Sequence, residues 1–279
     1  MSREEATTRD ADVEAAGDLP QLDATSLVET DELESRVKEM YRQVAEDADA
    51  DLHFETGREL AERLGYPTEL LDRIPAEALE SFAGVGYHLD LAAIGEGERV
   101  LDLGSGSGTD VLFVAQQVGE GGAVVGVDFT PAQLRKATRL RDSAGITNVK
   151  FVEAPIDDLP FEDESFDVVI SNGVINLSPI KAQVFSEAAR VLRPGGRLAL
   201  ADIVSGRPLK ERTRRNTELW AACVAGAIPR RNYADAIEQT GLSVGEIREN
   251  DYRFISERAL DACHTYGVES ISLVAYKSA

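Results

Sequence analysis

The chain has 279 residues, enough for one substantial core with a smaller appended region. Its 29 basic and 50 acidic residues leave a net charge of −21, which argues against nucleic acid or anionic lipid as a partner. The two cysteines, Cys223 and Cys263, have no paired spacing, which excludes a disulfide framework or a zinc-finger set and fits a reducing compartment.

No apolar run reaches the length of a membrane span, and the first residues are acidic rather than basic-then-apolar, so a soluble, unexported, cytoplasmic protein is expected. Six lysines stand against twenty-three arginines. An acidic, lysine-poor surface suits a salt-adapted, halophilic cytoplasm, because salt screens the self-repulsion of a large net charge. An acidic protein without such adaptation is the alternative, and composition leaves both open.

Residues 1–29 are rich in Asp, Glu, Ala and Thr with little apolar periodicity, and are expected to form a disordered acidic tail. A helix is predicted from Thr30 to about Ala48, with Leu33, Val37, Met40, Tyr41 and Val44 at helical spacing. Shorter helices are predicted over Thr56–Leu64, closed by Gly65, and over Pro67–Ile74. Residues 30–96 thus read as an N-terminal helical cap.

Residues 97–279 alternate strands with helices, which predicts an α/β fold around a parallel sheet. The strands are placed at Val100–Leu103, Ala123–Val127, Val149–Val152, Phe166–Ser171 and Arg197–Ile203, with helices at Thr109–Val118, Pro131–Ser143 and Ile180–Leu192. Arg193-Pro194-Gly195-Gly196 reads as a turn. A basic amphipathic stretch, Pro208–Ala227, is predicted as one helix in an insertion at about 206–240, and late strands at Ser243–Arg248 and Ser270–Lys277 close the chain.

Chemistry enters at VLDLGSGSGTD, Val100 to Asp110, where a buried strand runs into a glycine-rich turn and then a helix. Glycine allows positive φ and close approach of a ligand to the backbone. The dinucleotide fingerprint fails, because the sixth position is Thr109 counted from Gly104 and Val111 counted from Gly106, and no Gly-Lys-Ser/Thr follows to cradle phosphates. A nucleoside-bearing ligand without phosphates fits better. Asp128, ending the next strand, is placed to accept from ribose hydroxyls, the alternative being a helix cap before Pro131. Asp102, inside an apolar strand, needs a partner, and a ligand ammonium would serve.

The ordered segments LDLGSGSG, VVGVDFTPAQL, LPFEDESFDVVISNGVINL and RVLRPGGRLALADIV resemble the successive motifs of class I S-adenosylmethionine-dependent methyltransferases. Within that class, GVDFTP, SNGVINLSP and CVAGAI are similar to the arsenite methyltransferase-like group, over about residues 36–250. The resemblance implies a Rossmann-like, doubly wound, seven-stranded and mostly parallel sheet with a reversed last strand. It also implies S-adenosylmethionine as cofactor. Asp102, Gly104, Ser105 and Gly106 would contact its methionine part and Asp128 its ribose. Phe129 or Thr130 would flank the adenine, the Ile156 N–H would meet the adenine edge, and Asn172 would sit beside the amino group. Pro155 replaces the acidic residue of many relatives, a role that Asp157 could take.

The same resemblance places arsenic-binding cysteines where this chain has Val85 and Gly173, and a paired cysteine near His53 and Phe54; only Cys223 matches. Soft trivalent arsenic is held by thiolates, so a small-molecule acceptor other than arsenite is expected, such as a carbon or oxygen of a quinone-like or other apolar metabolite. Arsenite methylation through Cys223 with external thiols, and non-catalytic cofactor binding, are the alternatives. Candidate acceptor-side groups are Cys223, which can equally be a small core residue, and His88 beside Tyr87, able to orient or deprotonate an acceptor or simply to pack under the cap. Trp220 and Tyr233 read as pocket walls or core. His53 and His264 belong to no constellation.

Overall fold

The computed structural model describes residues 22–47, 52, 54–221 and 223–279. Residues 1–21 of the expected tail, and the expected helix end at Ala48, lie outside the described residues.

The N-terminal region is a run of helices: α1 (Thr30–Glu46), α2 (Arg58–Leu64), α3 (Thr68–Leu71), α4 (Ala76–Glu80) and α5 (Leu89–Ala92). Then β1 (Arg99–Leu103), α6 (Thr109–Val118), β2 (Ala123–Asp128), α7 (Pro131–Ser143), β3 (Val149–Glu153), β4 (Phe166–Asn172), α8 (Lys181–Val191) and β5 (Leu192–Val204) alternate. After α9 (Glu211–Arg214), α10 (Thr217–Ala221) and α11 (Arg230–Glu238) come β6 (Leu242–Glu249), α12 (Glu257–Tyr266) and β7 (Glu269–Lys277). The seven strands form one sheet in the order β3-β2-β1-β4-β5-β7-β6. β7 runs antiparallel to both β5 and β6, and the other pairings are parallel. The Rossmann-like sheet with a reversed last strand is therefore present.

Strand periodicity sorts the side chains into two layers. Leu101, Leu103, Val169, Leu198 and Leu200 pack against α8 and α11 through Phe185 and Tyr233. Val100, Val168, Ile170 and Ala199 face the other way, onto α6 and the helices α2 to α5 through Val111, Leu112 and Leu71. The alternation sets Asp102 on the second face, in line with Val100 and pointing toward the N-terminal helices. A third apolar cluster joins Leu33 and Val37 of α1 to Trp220, Val224 and Ala259, so that α1 and the 209–225 region close over one end of the sheet.

Three expectations need correction. Residues 22–29 are not part of a disordered tail, because Leu22, Ala24 and Val28 are buried and the Ala24 N–H donates to Pro179 O at 2.8 Å. The predicted Pro208–Ala227 helix breaks into α9 and α10. Asn216 Oδ1 accepts from the Leu219 N–H at 3.0 Å to start α10, the Trp220 indole N–H donates to Arg214 O at 2.5 Å, and Cys223 sits at φ 59°. The Arg193–Gly196 turn is absorbed into the start of β5: Leu192 pairs with Phe166 and Arg197 with Val168 across a bulge. Helix α12 had no sequence expectation. No helix among the described residues is long and apolar enough to cross a membrane.

Candidate functional site

In open α/β sheets, ligands bind beyond the carboxyl ends of the strands where the strand order reverses. Here that point lies between β1 and β4, and a cavity of about 1160 Å³ of atom-free space, mouth included, opens there. Asp102 and Gly104 reach it from β1 and the turn after it, Asp128 from the end of β2, and Asn172 from the end of β4. Ser105, Gly106, Phe129, Thr130, Ile156 and Asp157 complete the sequence-expected donor set on the same cavity. Pro155, the departure from the family pattern, lines it too.

The turn is held by its neighbours. Gly104 has φ 74°, and a Cβ there would lie 2.4 Å from a methyl of Val174, so only glycine fits without displacement. Both carboxylate oxygens of Asp128 are engaged: Oδ2 accepts the Gly106 N–H at 2.9 Å and Oδ1 the Thr130 N–H at 2.8 Å. Burial raises its pKa and these backbone donors pull it back. Asp102 is also buried, and no donor among the described residues meets its carboxylate; burial, followed by the nearby Asp110 and Asp128 charges, raises its pKa well above the ordinary range. Ser105 Oγ is buried without a partner among the described residues. Unpartnered polar atoms of this kind are costly unless a ligand engages them. A cationic, hydroxyl-bearing group is what the arrangement would pair with.

The cavity carries several carboxylates, from Glu34, Asp102, Asp110, Asp128 and Asp157, and no lysine, arginine or histidine among its described lining residues. Its remaining walls are apolar or aromatic, including Leu33, Val37 and Tyr41 of α1, Phe82, Val174 and Leu177. Asn172 is a junction. Its Oδ1 accepts the Val85 N–H at 2.8 Å, and its Nδ2 lies 3.1 Å from each of Tyr66 Oη, Gly86 O and Asp110 Oδ2. The Tyr66 hydroxyl in turn donates to Asp110 Oδ1 at 2.6 Å. On the other side, Gln133 links the glycine turn to α1, accepting from Ser107 Oγ and donating to Tyr41 O at 2.8 Å.

The acceptor-side candidates are not gathered here. His88 is fully buried, lies off the cavity and has no hydrogen-bond partner for either ring nitrogen among the described residues; burial lowers its pKa, so it rests neutral. Tyr87 packs its ring on Tyr66 and Phe113 rather than facing the cavity. Cys223 is buried off the cavity, its thiol 3.7 Å from Gly173 O, and burial pushes its pKa up to about 12. His88 and Cys223 are buried by packing of the N-terminal helices and of the segment around Trp220, which spacing did not show, whereas Tyr87 is only half-buried and turns its ring onto Tyr66 and Phe113. Trp220 and Tyr233 are core. His53 lies outside the described residues. Tyr41, Asp110, Tyr66 and Gln133 had no site expectation; Tyr41 was visible only as part of an apolar helix face.

A family model for the methyltransferase domain matches residues 94–257. The chain belongs to the S-adenosylmethionine-dependent methyltransferases. It is 40% identical over 205 residues to an arsenite methyltransferase of Halobacterium salinarum, covering 73% of this chain and 52% of that one. A solved structure of an arsenic(III) S-adenosylmethionine methyltransferase from Chlamydomonas reinhardtii is 34% identical with a TM-score of 0.60, covering 81% of this chain and 75% of that chain. A ubiquinone/menaquinone biosynthesis C-methyltransferase of Proteus mirabilis is 36% identical over 118 residues, 42% of this chain and 47% of that one. Within the class this methyltransferase falls in the arsenite methyltransferase-like group, yet it spans about half the length of the curated relatives it matches, 52% and 57% of the first two.

Proposed function

We propose that the protein transfers a methyl group from S-adenosylmethionine to a neutral or cationic small molecule, at a carbon or oxygen atom. The observation that carries this is the pair of buried carboxylates at the ends of β1 and β2, Asp102 and Asp128, facing one cavity with the orphan Ser105 hydroxyl between them in sequence. When bound, the cofactor supplies a methyl group already activated on a sulfonium. Asp102 would hold the ammonium of its methionine part, and Asp128 the ribose while keeping the glycine turn shut on it. Leu33, Val37 and Leu177 exclude water from the approach. Alignment of the two reactants supplies the rate, on the order of 7–11 kcal/mol of barrier, without an acid–base group. That fits the withdrawal of His88 and Cys223 from the cavity.

The acidic lining disfavours an anionic acceptor, since a carboxylate or phosphate would meet five carboxyl side chains and no cationic side chain among the described lining residues. Arsenite methylation with external thiols is the second reading, supported by the identity to the Halobacterium relative. Against it stand the single matching cysteine and its buried, protonated state. The reading extends to a salt-adapted cytoplasmic enzyme, on the net charge of −21. Calorimetric titration with S-adenosylmethionine, followed by an assay of S-adenosylhomocysteine formation with arsenite plus glutathione and with phenolic acceptors, tests it. Absence of cofactor binding sinks the proposal, and turnover confined to arsenite replaces the acceptor.

A further inference from the structure

Behind the cavity wall lies a buried charged cluster that the donor site does not use. Lys181, at the start of α8, is almost fully buried. Its ammonium donates to Asn176 O at 3.0 Å and to Ser178 O at 2.8 Å, and it sits 4.8 Å from the centre of the Trp220 ring. The donors of an ammonium group are thereby accounted for by two carbonyls and an indole face. Asp202 on β5, also buried, accepts the Asn176 N–H at 2.9 Å through Oδ2, and the same oxygen accepts the Tyr233 hydroxyl at 2.8 Å. Residue 176 is thus gripped by its N–H from one side and by its C=O from the other.

What this grip holds is the cavity wall. Residues 175–177 form a single 3₁₀ turn, and Val174, Leu177 and Ser178 beside it line the cavity. Val174 is also the side chain against which Gly104 is packed. We propose, resting on the donor-site reading above, that Lys181 and Asp202 are positioning residues that fix the Val174–Ser178 wall against the glycine turn and so set the affinity for the methyl donor. A purely structural cluster would be more stable with apolar side chains, because taking charges out of water is unfavourable before their interactions are counted. Here both charges reach backbone groups of one turn, Asp202 also accepting the Ile203 N–H at 2.7 Å and the Tyr233 hydroxyl.

The charged and titratable neighbours are few. Asp202 favours the charged form of Lys181, Arg214 opposes it, and Cys223 favours it; burial outweighs them and depresses the lysine pKa. Burial likewise raises that of Asp202, against the Tyr233 hydroxyl and backbone donors. Trp220 is the only tryptophan of the chain, so tryptophan emission reports on the ring against which the Lys181 ammonium lies.

The experiment records Trp220 emission of the full chain between about pH 5 and 9, with and without saturating S-adenosylhomocysteine, alongside calorimetric binding of that compound. The emission of the wild type is expected to titrate, and the bound compound to shift the midpoint, because the wall is shared. Asp202→Asn removes the charge that favours protonated Lys181 and is expected to lower the midpoint. Lys181→Met is expected to abolish the titration and to weaken binding about tenfold or more, the loss of hydrogen bonds from a charged group, raising KM for S-adenosylmethionine more than it lowers kcat. An unmoved midpoint in the wild type despite measured binding, or wild-type affinity in Lys181→Met, overturns the inference alone. Failure of the wild type to bind overturns the donor-site reading and the inference with it. The wild-type titration decides the question even if Lys181→Met does not fold.

Discussion

Asp128 Oδ2 accepts the backbone N–H of Gly106 at 2.9 Å, so a carboxylate at the end of β2 holds the glycine turn that follows β1. The same side chain accepts the Thr130 N–H through its other oxygen. Its role as a ligand contact and its role as a loop clamp are therefore inseparable. Asp128→Ala is expected to weaken S-adenosylhomocysteine binding by about 1.5–3 kcal/mol, the usual magnitude for hydrogen bonds to a charged group, with a further loss if the turn relaxes. Calorimetry checks this, and an unchanged Kd would remove Asp128 from the site.

Much of this site was legible in the sequence because it is built on the part of the fold that sequence specifies most tightly. Alternation of Val100, Leu101, Asp102 and Leu103 fixes both the strand and the face that Asp102 occupies. The turn glycines follow at once, and β2 adds Asp128 by the same logic. The acceptor side was not legible, because it depends on how α1 and the 209–225 region pack over the sheet. Tyr41 and Met40 are neighbours on one predicted helix, and nothing local says that Tyr41 reaches the cavity. Cys223 lies off the cavity for the same reason: its left-handed backbone follows from tertiary closure behind Trp220, not from local propensity.

Acidification is expected to separate cofactor affinity from apo stability. Burial raises the pKa of Asp102 and of Asp128, so each folded carboxyl holds its proton to a higher pH than the unfolded one. In the apo protein, the stability this contributes is present below the unfolded pKa and is lost as pH rises through the folded value. Binding a cation requires the ionised form, so donor affinity moves the other way and is lost as pH falls through the raised pKa values. Melting curves with and without S-adenosylhomocysteine across an acid series check both signs. A ligand-induced shift that stays constant on acidification would contradict them.

Asn172 joins β4 to the N-terminal helices through Val85, Gly86, Tyr66 and Asp110. Asn172→Leu removes these bonds and leaves the Val85 N–H and one acceptor of the Asp110 carboxylate without a partner. A cost of about 2–4 kcal/mol is expected from orphaning buried polar groups, together with faster proteolysis of the N-terminal helices. Urea unfolding read by Trp220 emission and limited proteolysis measure the two effects.

Molar potassium chloride is expected to raise the melting temperature. Of the charges, 50 are acidic and 29 basic, so self-repulsion is large at low ionic strength. Exposed pairs such as Arg36–Glu32 and Arg139–Glu77 contribute little and lose that little to screening. Relief of the net repulsion outweighs that loss. Equal melting temperatures in dilute and molar salt would remove the case for salt adaptation.

Thiol chemistry separates the two acceptor readings. Cys223 is buried with its pKa at about 12, so it carries almost no thiolate at neutral pH, whereas Cys263 on α12 is only partly buried. A native protein is expected to release one equivalent slowly to a disulfide reagent, from Cys263, and the second only on unfolding. Cys223→Ala is expected to leave cofactor affinity within about twofold and to cost about 1 kcal/mol of stability or less, since the side chain is small and its carbonyl contact weak. Position 173, where arsenite-methylating relatives are expected to hold a cysteine, has φ 75° here, and a Cβ would lie 3.2 Å from a methyl of Val85. Gly173→Cys is therefore expected to lose about 1–2 kcal/mol for the left-handed backbone alone. Rapid labelling of Cys223 in the native state, or arsenite turnover that vanishes in Cys223→Ala, would favour the arsenic reading over the carbon or oxygen acceptor.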